Sequence, residues 1–264
     1  MSPLKIATKI ISAVLAAIAL TVTIGLVVQQ YIIKRQGVDL TIETMRAAVV
    51  EAENVRESIS TLNNEGAFDR AKLLAEYKAS GDLRDSTIYR TIPVVAAWEA
   101  IKKAAAQSGF EFRVPKRQAR NPKNNPTPAE AEILRTLETG QLTEYIRIDP
   151  AANLIVYARP ITLSQDCLAC HGDPATSPTK DGKDVVGFTM ENWKAGEVHG
   201  AFVLQTNFDR VNAVVRGGML RSLAWLLPVA ALISVTFVYL NRRMIVRLLN
   251  RSIESIQAAS EETS

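Results

Sequence analysis

The stretch EVHGAFVLQTNFDRVNAVVRGGM, residues 197–219, decides the fold. Its first half alternates as a strand does: Val198, Phe202 and Leu204 fall on one side, His199, Ala201 and Val203 on the other. Its second half reads as a helix, and it leads into SLAWLLPVAALISVTFVYL, residues 222–240, which carry no charge. Nineteen uncharged, mostly apolar residues nearly cover ~30 Å of hydrocarbon at ~1.5 Å each. Pro228 inside the run is tolerable in a membrane helix. A strand that feeds a membrane-length helix sets the plan: a sheet domain that leaves through a bilayer.

A second uncharged run lies upstream, at residues 10–33. It is longer than the ~7–15-residue core of a signal peptide and lacks a small-residue cleavage site, so it reads as a retained anchor. Lys5 and Lys9 precede it, and Arg242, Arg243, Arg247 and Arg251 follow the second run. Lys34, Arg35, Arg216 and Arg221 flank the other side, so the bias is partial, but it places both termini in the cytoplasm. The expected organisation is a cytoplasmic N-terminus at 1–9, transmembrane helices at 10–33 and 222–240, an outer domain at 34–221 and an inner helix at 241–264. The 264 residues are 47% apolar and 22% charged, which suits one folded domain plus the two anchors.

The outer domain begins with helices. Met45, Val49, Ala52, Val55 and Ile59 recur at helical spacing across 42–62, with Gly37 as the one break from the first anchor. Residues 69–80 and 92–108 read as two more helices, ended by Gly81 and Gly109. FEFRV (110–114) alternates as a strand, and 128–140 reads as a short helix opened by Thr127 and Pro128. EYIRIDPAANLIVYARPITL (144–163) reads as strand, turn, strand, and VVGFTM (185–190) as a further strand. The fold class is therefore α+β, with four or five antiparallel strands behind a long N-terminal helix. The basic run PKRQARNPKNNPTP (115–128) reads as a solvated loop, and no nucleic-acid partner is expected.

CLACHGDP, residues 167–174, holds the chain's two cysteines and one of its two histidines. Three chemistries compete for it. A redox thiol pair has no need of the histidine and usually sits near a βαβ unit. Zinc wants four ligands, and only His199 remains after Cys167, Cys170 and His171. C-x-x-C-H is the attachment pattern of a c-type haem, in which two thiols bond the porphyrin and the adjacent imidazole ligates iron. The outward topology was inferred independently and suits a covalent haem, so one haem c is the favoured expectation, with a thiol pair as its rival.

CLACHGDP followed by GFTMENWKAGEVHGAFVL (187–204) resembles the c-type-haem PAS-like sensor domain of bacterial membrane receptors, carried by some methyl-accepting chemotaxis proteins and histidine kinases. The resemblance covers roughly residues 38–208. It implies a PAS-like antiparallel sheet, a periplasmic haem domain on the bacterial inner membrane, Cys167 and Cys170 as the covalent attachment and His171 as proximal ligand. It also implies a sixth position approached from the long N-terminal helix, which here carries Met45. Met45 is thus the first distal candidate, His199 the second and Met190 a third, with an open site as the remaining alternative. Trp98, Phe110, Phe112, Tyr157, Phe188, Trp193 and Phe202 are available as pocket walls, and Arg159 as a propionate partner.

Beyond the second anchor, Ile245, Leu249, Ser252, Ile256 and Ala259 are spaced as a short coiled-coil seam, which points to a homodimer. No kinase, cyclase or methylation region is reached by Ser264, so the chain reads either as a piece of a longer receptor or as a short protein that signals through partner helices, and its cytoplasmic signalling partner is unidentified. The expectation is a non-enzymatic transmembrane sensor of redox state or of a small diatomic ligand. Its rival is a membrane-anchored cytochrome for electron transfer, which one anchor would serve.

Overall fold

The computed structural model describes residues 3–261. The chain divides into two compact units, 1–37 with 209–264, and 38–208.

The first unit consists of the N-terminal part of α1 (Pro3–Asn64), as far as Gly37, and the whole of α7 (Asp209–Glu261). Both are long and apolar enough to cross a membrane, by length and composition. They approach closely where side chains are small: a Cβ on Gly37 would lie 3.0 Å from Val211, and one on Gly218 would lie 3.0 Å from Ile33. Gln29 donates to Ser222 Oγ across the pair at 2.6 Å. Gly37 is therefore no break; α1 runs through it, and its missing side chain makes room for α7. Of the expected coiled-coil seam, only the Ile245 side chain is among those described; Leu249, Ser252, Ile256 and Ala259 lie outside them.

The second unit is α+β, with one sheet of four antiparallel strands in the order β1-β4-β3-β2. These are β1 (Glu111–Arg113), β2 (Tyr145–Asp149), β3 (Leu154–Thr162) and β4 (Val198–Thr206). Asn153, at φ 53°, makes the β2–β3 turn, and its side chain accepts from the Phe208 N–H at 3.0 Å. Alternation along β3 and β4 then splits the apolar residues between two faces. Val156, Ala158, Ala201 and Val203 pack on Ile133, Leu134 and Leu137 of α5 (Pro128–Glu138). Thr127 and Glu130 close a reciprocal capping box at the start of α5, and Pro128 occupies its first turn.

The other face lies beneath the outer-domain part of α1. Arg46 sits 5.9 Å over the Tyr157 ring, Arg159 pairs with Glu53 at 3.1 Å, and Arg56 donates to the Thr162 carbonyl at 2.9 Å. Three further helices, α2 (Arg70–Ser80), α3 (Thr87–Arg90) and α4 (Pro93–Ser108), complete the N-terminal layer. Among the described residues VVGFTM forms no strand. Its backbone wraps the Asp184 carboxylate, whose Oδ1 accepts the N–H groups of Val186 and Phe188, and Gly187 takes φ 93°. Only a lone bridge between Lys183 and Thr189 remains of the pairing.

Candidate functional site

The motif sits where β3 ends. Past Thr162 the chain turns through Ser164 into a 3-10 turn (Gln165–Cys167) and then α6 (Leu168–His171). Ser60 of α1 holds this turn by donating to Asp166 Oδ2 at 2.6 Å. On a helical turn, positions i, i+3 and i+4 share a side. Cys167, Cys170 and His171 accordingly all line one cleft of about 570 Å³. Both thiols are free. Gly172 ends the turn where nothing larger fits, since a Cβ there would lie 2.5 Å from the Leu168 carbonyl oxygen.

A β-bulge brings in the second histidine. Ile161 pairs with Gly200 but Thr162 pairs with Val198, so His199 has no partner on β3. Bulges re-aim side chains, and His199 lines the cleft instead of following Ala201 and Val203 onto the α5 face. Gly200 is small for a reason: a Cβ would meet Lys116 at 3.0 Å and the Pro115 carbonyl at 3.1 Å. The bridge between Lys116 and Gly200 thereby sets Lys116 into the cleft wall.

The two histidines are held differently. His171 Nδ1 lies 2.8 Å from Glu191 Oε2. A carboxylate only accepts, so Nδ1 carries the hydrogen and the lone pair is on Nε2. Burial, with the Glu191 bond opposing it, holds the His171 pKa below the usual imidazole range, and the ring is neutral. His199 Nε2 lies 2.9 Å from Glu197 Oε2, and since a carboxylate only accepts, Nε2 is the donor. Trp193 stacks with both rings, at 4.6 Å and 12° from His171 and at 4.1 Å and 10° from His199. Lys116 Nζ stands 5.0 Å over the Trp193 ring. Burial lowers the Lys116 pKa, with nearby Glu191 opposing the fall.

Glu191 is itself gripped by Arg120, through Nε to Oε1 at 2.7 Å and Nη2 to Oε2 at 2.9 Å. Burial pushes the Glu191 pKa up, but the bonds from His171 and Arg120 outweigh it and hold it at about 2. Cys170 is different: burial drives its thiol up to about 11. It is protonated at neutral pH, unlike the depressed thiols of redox pairs.

The sequence candidates thus separate. Cys167, Cys170, His171 and His199 share the cleft. The structure keeps Met45 out of it: Met45 is fully buried on the core stripe of α1, which reaches the cleft at Arg56, about three turns further on. Met190 is also buried and away from the lining, its N–H bonded to the Gly182 carbonyl. Of the aromatic candidates Trp98 and Trp193 line the cleft; Phe112 instead pairs with Phe202, and Tyr157 bonds Glu144. Arg159 is engaged by Glu53, and the cations on the cleft wall are Arg56, Arg70 and Lys116. Glu191 and Arg120 carry no local signal. Arg120 falls in the basic loop that reads as solvated, yet only 21% of its side chain is exposed.

A family model described as Tll0287-like matches residues 27–206. The chain belongs to the Tll0287-like family. A crystal structure described as that of the cyanobacterial haem protein Tll0287 aligns with a TM-score of 0.45 at 17% identity, over 64% of this chain and 95% of that one. No curated protein matches. In this Tll0287-like chain no group of three or more His, Cys, Asp or Glu is disposed to hold a metal ion by itself, among the described residues. The donor set suits a planar cofactor attached through two thiols better than a zinc cage built from side chains alone.

Proposed function

We propose that the chain is a two-pass membrane protein whose 38–208 unit is a PAS-like haem c sensor on the outer side of a bacterial inner membrane. One observation carries the reading. Cys167, Cys170 and His171 all line one cleft, large enough for a cofactor, and the Nδ1 of His171 is bonded to a carboxylate, which leaves Nε2 as its free nitrogen. The namesake of the family is described as a haem protein, which agrees.

When bound, the haem would supply one-electron chemistry and a site for diatomic gases. The protein's part is attachment, orientation and exclusion of water. Cys167 and Cys170 would hold the group covalently, His171 would ligate its iron, and Trp98, Ile161 and Leu163 would give the apolar wall. Arg56, Arg70 and Lys116 are placed to meet carboxylates at the rim. His199 is taken as the distal candidate because it lines the cleft and Met45 does not. To reach a metal held by His171 it would have to swing from behind Trp193, whose ring is stacked between the two imidazoles, and give up Glu197, an exposed partner that water readily replaces. Such a swing would be a two-state element of the kind a sensor needs. Its outputs would pass through α1 and α7 to a dimeric helix pair and a cytoplasmic signalling partner, as in chemotaxis receptors or kinases, with no catalysis in this chain.

The test is optical spectroscopy of the detergent-solubilised full chain, co-expressed with a cytochrome c maturation system. Ferric and ferrous forms are compared with and without carbon monoxide and nitric oxide, in the wild type and in His199→Ala and Met45→Ala. Covalent haem with a low-spin fraction lost in His199→Ala, and gas binding after reduction, supports the reading. Absence of covalent haem in the wild type returns the motif to a thiol pair.

A further inference from the structure

We infer that Glu191, clamped by Arg120, is the positioning residue that sets the donor strength of His171, and through it the reduction potential of the site; this rests on the haem reading above. The geometry is a chain of polar contacts. His171 Nδ1–H donates to Glu191 Oε2 at 2.8 Å, and the same oxygen accepts from Arg120 Nη2 at 2.9 Å. Arg120 Nε reaches Glu191 Oε1 at 2.7 Å, and its Nη1 reaches Asp184 Oδ2 at 2.8 Å. Arg120 Nη2 also donates to the Cys170 carbonyl at 2.9 Å, inside the motif turn itself.

Each link restrains the next. Asp184 is fully buried, and its other oxygen binds two backbone N–H groups of its own loop. It cannot move without unfolding that loop, so Arg120 is pinned, and a bidentate arginine pins the carboxylate plane. The backbone adds a second tie: Asn192 N–H bonds the Gly172 carbonyl at 3.0 Å and Trp193 N–H bonds the His171 carbonyl at 2.8 Å. The 191–193 segment therefore lies along the motif as an auxiliary strand would.

A histidine that ligates a metal through Nε2 is oriented by whatever its Nδ1–H meets. A carboxylate there fixes the tautomer and ring plane and makes the imidazole a stronger donor. A stronger donor favours the ferric ion over the ferrous, which lowers the potential. Arg120 prevents the opposite extreme: by sharing the carboxylate's charge it keeps the hydrogen on Nδ1.

The deciding comparison is wild type against Glu191→Gln as full-length holoprotein in detergent. Gln keeps the shape but loses the charge. The midpoint potential is read by redox titration, and the iron–histidine stretching frequency of the reduced form by resonance Raman. Covalent haem content and thermal midpoint serve as controls for folding. The expected outcome is unchanged haem content, a lower stretching frequency and a raised potential. A tenfold change in the ferric preference corresponds to about 59 mV for one electron. An unchanged potential and frequency in a holoprotein that keeps its haem overturns the inference and leaves the network with a purely structural role. Should Glu191→Gln fail to fold, nitrogen NMR of the ¹⁵N-histidine-labelled wild type decides. A His171 protonated at Nδ1 supports the inference, and one protonated at Nε2 overturns it. The same measurement on a wild type that acquires no haem separates failure of this inference from failure of the haem reading.

Discussion

On one face of the sheet, Ile133, Leu134 and Leu137 of α5 close against Val156, Ala158, Ala201 and Val203 as a contiguous apolar core. The other face begins in the same way, with Ile155, Tyr157, Phe202 and Leu204 buried beneath α1, but at its far end it opens into the cleft. There the wall carries Arg56, Arg70, Lys116 and two histidines. The same two strands make both faces, and the change happens at the bulge between the Ile161–Gly200 and Thr162–Val198 pairs. One face is thus built for packing, and the end of the other for holding a ligand. Most of the charged and titratable groups there are engaged: Arg56 bonds the Thr162 carbonyl, the histidines bond Glu191 and Glu197, and Lys116 stands over the Trp193 ring.

The comparison breaks first if the cleft does not bind haem through its thiols. Cys167→Ala with Cys170→Ala should abolish haem that survives acidified-acetone extraction, with the circular dichroism of the chain retained. Retained covalent haem would show that these thiols are not the attachment. Next in size is the α5 face. Leu134→Ala should cost about 2–5 kcal/mol, the range for a fully buried leucine, seen as a lower thermal midpoint of the full chain in detergent. The haem spectrum below the transition should be unchanged; a shifted spectrum would mean that the two faces are coupled. Gly172→Ala should be intermediate, about 1–3 kcal/mol, because its Cβ meets a carbonyl oxygen at 2.5 Å. It should also lower the haem yield, by displacing Cys170 and His171.

The smallest effect is at the start of α5. Burial pushes the Glu130 pKa up, but the Arg113 bond and the Thr127 cap outweigh it and hold it below its ordinary 4.5. A depressed carboxyl stabilises the fold above its unfolded value, and that contribution is lost as pH falls through the folded value. Glu130→Gln should therefore cost roughly 1 kcal/mol at neutral pH, and the two proteins should converge in acid below 4.5. A gap that stays constant from neutral pH to acid would sink this account. The haem spectrum is again expected to be indifferent.

Much of the frame was legible. The apolar runs, the α1 stripe, the helix start at Thr127 and Pro128 and the strand alternation are local patterns set by backbone geometry. The motif turn was legible because its three side chains lie within five residues. VVGFTM misled because the same alternating letters can wrap a buried carboxylate, and Asp184 just before them gave no hint of its burial. Met45, buried and absent from the cleft lining, shows a related limit: helical spacing reports that a residue faces inward, not which part of the interior it meets.

The sequence by itself determined that this chain has two membrane-length helices, an antiparallel sheet between them, and two thiols with a histidine on one turn. Those features depend on neighbours a few residues apart. Only the tertiary structure decided what surrounds that turn. Glu191 is 20 residues from His171, Arg120 is 71 from Glu191, and Arg56 meets a carbonyl 106 residues away. A bulge chose His199 for the cleft and the core kept Met45. Contacts of that span are set by how sheet, loop and helix pack together, and no short-range pattern encodes them.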